Sequence, residues 1–441
     1  MSKKLSISDY LLDEGKRYAM YTLQFRAIPY LADGLKAGAR RTLWCARDGA
    51  KIKSATLAGI TVPLHPHAPP EDSIDTLTGP YVNNIPLFDG YGTFGTLINP
   101  IAYGASRYTS VKVSAFTKDV LFRDIEVIPM VPNYDSTLME PKHFLPLSPI
   151  AIMNPTDGIA VGFATHILPR TFKDIVESQL EHLAGKVVKE RAPHFLPTNN
   201  PATRIIDKKG MVRWLFKGDY KIGNNEVKIT RLPYGITHSD FIGNLHTLID
   251  KEAILDFEDA SRDKINITVK FKRGILTTLS TEDVEKLLKI HVAVSENLNV
   301  VNLDGNSVVT MDYVTIIKEF TDWRLNWYVD RYLRLLELLV IDIQHYDDIL
   351  LAIKKNVSGV SKKIANRTEL KQFISDIGVV YIDYIADLPV YRFTEEEARK
   401  IQEKREAALA VKASYEDILN DDAKRKAIYV SELKEVLKKY G

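Results

Sequence analysis

Cysteine is almost missing from this chain: one residue, Cys45, among 441. An intramolecular disulfide is therefore impossible, and such scarcity fits a reducing compartment. Long apolar runs are missing too. None approaches the ~20 residues that a membrane-spanning helix needs, and no apolar leader follows Met1-Ser2-Lys3-Lys4. A cytoplasmic protein with no membrane partner is the expectation. Charge of one sign is also scarce, the formal net charge being +2, so the total does not point to nucleic acid. The chain has no internal repeat and no low-complexity tract. It contains no G-x-x-x-x-G-K-[ST], no H-E-x-x-H, no G-x-S-x-G and no C-x-x-C. Those absences exclude a P-loop ATPase, a zinc protease of the His-Glu type, an elbow-type serine hydrolase and a dithiol oxidoreductase.

What is present begins with an uneven charge distribution. Over residues 1–53, eleven lysines and arginines stand against five acidic residues. Such a block is either a solvated helical face or a DNA-contacting surface. The apolar spacing predicts a helix over 8–27, closed by Pro29 and the Asp33-Gly34 turn, and a second over about 35–47 that carries Lys36, Arg40 and Arg41. Five prolines between Thr61 and Asn84 limit any helix there to a short one. Residues 87–125 read as small strands and loops ending in a helix over about 114–122. Helices followed by a glycine-bearing ribbon fit a helix-turn-helix or winged-helix module.

From Ile125 to about Asp312 apolar runs alternate with glycine and proline. Residues 264–271 alternate with period two, as a half-buried strand does, and helices are expected at about 170–184, 238–252 and 281–291. Residues 185–200 read as a loop, and the whole region as an α+β domain. Beyond it, Leu325, Val329, Tyr332, Leu336, Leu339, Ile343, Tyr346, Leu350, Ile353 and Val357 recur at alternating spacings of four and three, the pattern of a coiled coil. Thr394 with Glu397 forms a capping box at the start of a second long helix. The two helices make either an antiparallel hairpin with a knob at its tip or a simple helical bundle.

The residues able to carry chemistry form an ordered series: Arg26, Lys36, Arg40, Arg41, His65, His67, Arg107 and Tyr108. His65-Pro66-His67 has poor spacing for a shared metal and no further ligand close in sequence, which leaves phosphate contact, base contact or a structural role. The glycine-punctuated stretch from Gly92 ends in Arg107-Tyr108-Thr109. A phenol is a better leaving group than an aliphatic alcohol, so an aryl phosphodiester retains the energy of the bond it replaces. A tyrosine nucleophile therefore suits breakage that must be undone, and an adjacent guanidinium can stabilise charge on phosphorus.

In order and wording these motifs resemble the breakage-reunion (A) subunit of type IIA DNA topoisomerases, a family that includes gyrase A, topoisomerase IV A and the medium subunit of T-even-type bacteriophage enzymes. The resemblance rests on Tyr18-Ala19-Met20-Tyr21, Arg26-Ala27-Ile28-Pro29, Asp33-Gly34-Leu35-Lys36, Arg40-Arg41, His65-Pro66-His67 and residues 89–95. It continues through Arg107-Tyr108-Thr109, Val131-Pro132-Asn133-Tyr134-Asp135, residues 158–165 and Leu232-Pro233-Tyr234. In length the chain is most similar to the bacteriophage branch. It departs from the family pattern at Ala37, at 68–73 and at 166–171.

The resemblance implies a multidomain α+β fold: an N-terminal arm and CAP-like winged-helix domain (1–125), an α+β tower domain (126–312) and a long antiparallel coiled coil (313–441) with a C-gate dimerisation knob at about 358–393. It implies that Tyr108 is the nucleophile that links to a DNA 5′-phosphate, with Arg107 stabilising the transition state and Arg26 as a further phosphate contact. Lys36, Arg40, Arg41, His65 and His67 would hold the cleaved duplex. Ile159 would be an apolar wedge that kinks it; from the residues alone Ile159 reads as part of a buried strand. The implied activity is that of an ATP-dependent type II topoisomerase, an isomerase acting on double-stranded DNA as a homodimer. Mg²⁺ and ATP would sit on TOPRIM and ATPase partner subunits, in the host cytoplasm if the chain is phage-encoded, and no metal site is expected here. With no segment after Gly441 to form a DNA-wrapping propeller, the expectation is relaxation or decatenation without supercoiling. A non-catalytic winged-helix or architectural DNA-binding protein is the alternative.

Overall fold

A computed structural model describes residues 26–66, 70–160, 162–361 and 364–441 of the chain. The helix expected over 8–27 lies, apart from its last two residues, outside the described residues, as does His67. Two units can be distinguished. One holds the described residues up to Arg324 together with Val430–Gly441, and the other is Leu325–Tyr429.

The first unit opens on a tight turn. Gly34 adopts φ +67°, and a Cβ there would lie 2.5 Å from the Ala151 backbone nitrogen, so only glycine fits. Helix α1 (Ala37–Cys45), strand β1 (Ile52–Lys53), helix α2 (Ser54–Thr61) and helix α3 (Pro70–Thr78) follow, then strands β2 (Phe88–Tyr91) and β3 (Ser110–Val113). The strands form an antiparallel sheet in the order β1-β3-β2. Helix α3 starts on a proline, whose missing N–H costs nothing in a first turn, and carries Glu71 and Asp72 where the helix dipole favours acids. Its buried Ile74, Leu77 and Thr78 share one face, and the helix packs against α1, α2 and β2. The helix expected over about 114–122 is present as a π-helix over Thr117–Leu121.

Two hairpins come next: β4 (Met130–Pro132) with β5 (Met139–Pro141), and β6 (Thr156–Ala160) with β7 (Phe163–Ile167). Helix α4 (Phe172–Leu183) is capped by Thr171 Oγ1, which accepts the Asp174 N–H at 3.0 Å. Then follow β8 (His194–Phe195), β9 (Asn200–Ile206), β10 (Val212–Lys217), β11 (Asp219–Ile222), β12 (Glu226–Arg231), α5 (His238–Asp250), β13 (Asp256–Asp259), β14 (Ile267–Lys270), α6 (Ile275–Thr278), α7 (Thr281–Leu287), β15 (His291–Val294), β16 (Asn299–Val301) and β17 (Val308–Thr310). The first sheet runs β15-β10-β9-β8 and the second β11-β12-β14-β13. Alternation explains the second sheet: Val227 faces Val269 and Ile229 faces Ile267, all buried, under Phe241, Leu245 and Leu248 of α5. Each such side chain contributes roughly 1.5–3 kcal/mol of burial. The helix expected over 281–291 stops at Leu287. Lys289 turns left-handed at φ +54°, and His291–Val294 pairs with β10.

The second unit includes most of helix α8 (Tyr313–Lys354), then α9 (Val357–Ser361), α10 (Arg367–Asp376), α11 (Ile382–Ala386) and α12 (Glu395–Leu419); helix α13 (Asp422–Tyr440) starts in it and ends in the first unit. None of the ten apolar positions spaced by four and three is exposed. Helices α8 and α12 run antiparallel, since Tyr332 meets Tyr415 at 5.4 Å between ring centroids while Asp347, further along α8, pairs with Arg405, earlier on α12. Buried Asp348 accepts the N–H groups of Val380 and Tyr381 at 3.1 and 2.7 Å, tying the 378–381 turn to α8. The capping box at Thr394 forms only in half. Thr394 accepts the Glu397 N–H, but its own N–H goes to Tyr391 and the Glu397 carboxylate to Arg392 and Lys400. Among the described residues no helix is long and apolar enough to cross a membrane.

Candidate functional site

Tyr108 stands at the end of the long β2–β3 connection, immediately before the central strand of the small sheet. Backbone geometry holds this connection close to itself. Phe94 bridges to Tyr103, and the Gly104 N–H donates to Thr93 at 2.8 Å. Gly95 sits at φ +90°, where a Cβ would come within 2.1 Å of the Pro100 carbonyl oxygen. The last turn is anchored on both sides of the tyrosine. The N–H groups at the start of α2, from Ser54 and Ala55, donate to the carbonyls of Thr109 and Ser106 at 3.2 and 3.1 Å. Buried Thr109 adds a hydroxyl bond to Ser54 at 2.8 Å. Between these anchors the Tyr108 side chain is 71% exposed, with the Arg107 guanidinium 4.9 Å from its ring centroid. The loop thus presents a phenol and a cation together to solvent while their backbone is fixed.

The other predicted residues fall into two sets. Arg40 and Arg41 are buried, and each is bound to a carboxylate with both arms of its guanidinium. Arg40 donates to Asp33 at 2.6 and 2.9 Å, and Arg41 to Glu140 at 2.6 and 2.8 Å. Asp33 also accepts the N–H groups of Leu35 and Phe144. In this conformation the two arginines brace α1 against the 144 region and β5, their guanidinium groups bound to carboxylates and buried. His65 is half-buried and edge-on to Tyr134, 5.6 Å between centroids, beside the bond from Asn133 to the Pro63 carbonyl.

Lys36, Arg26 and Ile159 gather at the β6–β7 hairpin. The Lys36 ammonium donates to the Asp157 carbonyl at 2.6 Å, and burial draws its pKa below the usual lysine range. A Cβ on Gly158 would lie 2.0 Å from the carbonyl of Ala27, the residue after exposed Arg26. Ile159 is 88% exposed. The buried-strand reading of Ile159 is therefore wrong: its strand has one buried face, and Ile159 is on the other.

Sequence reasoning missed Asp33 as an ion-pair partner, as well as Glu140, Ser54, Asp157 and His166. The Asp33-Gly34 pair was visible only as a turn, and Glu140 lies 99 residues from Arg41, where no local pattern reaches. Among the described residues no group of three or more His, Cys, Asp or Glu side chains could hold a metal ion. A cavity of about 1170 Å³ is lined by Leu97, Pro100 and Ile101 of the loop and by Leu232 and Tyr234; neither Arg107 nor Tyr108 lines it.

A long glycine-bearing connection that offers an exposed Arg-Tyr pair from a three-helix, three-strand module, followed by two antiparallel sheets and a long helical pair, defines a mixed helix-and-strand protein of a recognisable class. Residues 26–434 match the family described as the A subunit of DNA gyrase/topoisomerase IV, and the chain belongs to that family. It is similar to the DNA topoisomerase medium subunit of Enterobacteria phage T4, 28% identical across 90% of this chain and 91% of that protein. It is also similar to the A subunit of DNA topoisomerase 4 from Pseudomonas aeruginosa, 25% identical across 100% of this chain and 62% of the relative, and to the A subunit of DNA gyrase from Brachyspira hyodysenteriae, 25% identical across 99% and 56%. The chain thus spans little more than half the length of these two bacterial relatives.

Proposed function

We propose that this chain is the DNA-cleaving subunit of an ATP-dependent type IIA topoisomerase, and that Tyr108 is its nucleophile. The observation that carries this reading is the exposed Tyr108 phenol, fixed at its backbone by α2 and β3 and paired with Arg107. The Tyr108 oxygen forms a bond to a DNA phosphorus while the bond from phosphorus to the 3′ oxygen breaks. The phenolic proton leaves, and the 3′ oxygen acquires one. Resealing reverses each change, so no external energy is needed for the chemical step itself. Arg107 swings from the tyrosine ring to the phosphate and offsets the charge that accumulates on it. Arg26, Lys36 and His65, with His67, lie along the bound duplex, and Ile159 enters the base stack.

The module over 1–125 acts in this reading as a CAP-like winged-helix domain, 126–312 as a tower that supports the bent duplex, and 313–441 as a coiled-coil arm. The knob at about 358–393, with Val380, Val390 and Tyr391 each more than 60% exposed, meets its twofold mate in a homodimer. Mg²⁺ and ATP belong to TOPRIM and ATPase partner subunits, and the assembly relaxes or decatenates DNA in the cytoplasm.

The test is a plasmid cleavage assay with partner subunits, Mg²⁺ and ATP, trapping protein-linked 5′ ends. Tyr108→Phe is expected to abolish the adduct and leave duplex affinity within about twofold, because the lost hydroxyl reaches solvent. Adducts that persist in Tyr108→Phe refute the assignment. Tight binding without any adduct from the wild-type assembly supports the architectural alternative.

A further inference from the structure

The β6–β7 hairpin carries two charged side chains beside its exposed isoleucine. Alternate residues along a strand share a face, and residues directly opposite in an antiparallel pair point the same way. The registers Asp157↔His166 and Ile159↔Ala164 therefore put Asp157, Ile159 and His166 on one face. Burial agrees: Asp157, Ile159 and Ala164 are exposed and His166 is half-buried, while Gly158 and Thr165 on the opposite face are buried. His166 Nδ1 contacts Asp157 Oδ1 directly. The Lys36 ammonium binds the Asp157 carbonyl, and the His166 backbone pairs with Asn297 in both directions at 3.0 Å. The neighbouring charge is already satisfied. Glu296 is held by Arg170 at 2.5 and 2.7 Å and by the Leu168 N–H at 2.9 Å, while Tyr234, its hydroxyl kept protonated by burial, feels both Asp157 and Glu296.

We propose that His166 is a proton-operated positioning residue for duplex DNA at the Ile159 hairpin: the imidazolium cancels the Asp157 carboxylate on the DNA-facing side, and loss of its proton turns that carboxylate against the DNA phosphates. The inference rests on reading Ile159 as the DNA-facing wedge. A carboxylate on the face of a wedge repels the backbone the wedge must approach. With Lys36 and protonated His166 flanking it, the face is cationic; with neutral His166 it carries one balanced pair. The hydrogen bond to Asp157 holds the imidazole pKa above its ordinary 6.5, and the same contact holds the Asp157 carboxyl below the usual range, so both partners point the same way. Phosphates near the hairpin favour the imidazolium further, so binding takes up a proton and affinity must depend on pH.

The experiment uses the full chain and an end-labelled duplex, measuring Kd and bending by energy transfer from about pH 6 to about pH 9 at fixed salt. Wild type is expected to weaken several-fold per pH unit above the His166 pKa, and no more than about tenfold, since one proton is linked. Asp157→Asn is expected to bind tightly, with its pH dependence shifted to lower pH because His166 loses the carboxylate that raises its pKa, and His166→Gln is expected to bind weakly with a flat profile. Both side chains reach solvent, so neither change empties a core, and thermal unfolding of the variants confirms it. A wild-type slope that survives in His166→Gln overturns the inference. Ile159→Ala separates the two readings. If it bends DNA as wild type does, the wedge reading fails and this inference with it. If it loses bending while the pH profiles of the other three proteins coincide, only the inference fails.

Discussion

The buried position of Arg40 leads to a measurable distinction between a brace and a DNA ligand. Its guanidinium makes two bonds to Asp33 and one to the Leu35 carbonyl, and Asp33, with no exposed surface, also accepts two backbone N–H groups. Replacing Arg40 by Met keeps most of the volume but leaves a buried carboxylate without its counter-charge. Breaking such a pair costs about 3–5 kcal/mol, well above the ~1 kcal/mol of an average substitution. At roughly 2–4 °C per kcal/mol for a unit of a few hundred residues, the main thermal transition is expected to fall by about 6–20 °C. Adding Asp33→Asn removes the stranded charge but keeps an acceptor for only one of the two N–H groups, which bond to different Asp33 oxygens, so the double variant should regain part of the loss, and a double-mutant cycle reads the coupling. A phosphate ligand behaves differently: Arg40→Met would leave stability within about 0.5 kcal/mol and lower the salt slope of duplex binding by about one unit. That pattern refutes the brace.

Three further outcomes are expected. His143 is 3% exposed, edge-on to Tyr30 and Trp323, and burial pushes its imidazole down to about 4. A neutral buried histidine contributes stability that is fully present above the unfolded value of about 6.5 and lost as pH falls toward 4. Denaturant unfolding is therefore expected to show an acid limb worth about 3 kcal/mol in that window, and His143→Gln to flatten it; an unchanged limb shows that other groups produce it. At the hairpin, Ile159→Ala should leave stability within about 0.5 kcal/mol because the side chain is solvated yet reduce DNA bending. Gly158→Ala should cost about 1–3 kcal/mol because its Cβ meets the Ala27 carbonyl; equal stability losses in the two variants contradict this placement.

Much of the architecture was legible locally. Period-two alternation marked β14, and the apolar spacing of three and four marked ten positions, none of them exposed, along α8 and just beyond it. The Arg107-Tyr108 pair and the motif order were enough for the family, because motifs of this kind depend on residue identity at short spacing. Errors came where another partner, distant or near, competed with the expected local pattern. The residues after Leu287 left the helix because β10 offered a strand partner, and Glu397 chose Arg392 and Lys400 over the cap.

The sequence by itself therefore determined the order of the chemistry-bearing groups, the periodicities and the family. Only the tertiary structure decided which cations are available and which apolar residue is exposed. Whether an arginine is a ligand or a brace depends on carboxylates such as Glu140, far away in the chain, that compete for the same guanidinium. The face that Ile159 and His166 share follows from hairpin register and from the contact of Gly158 with Ala27, and neither is encoded within a few residues.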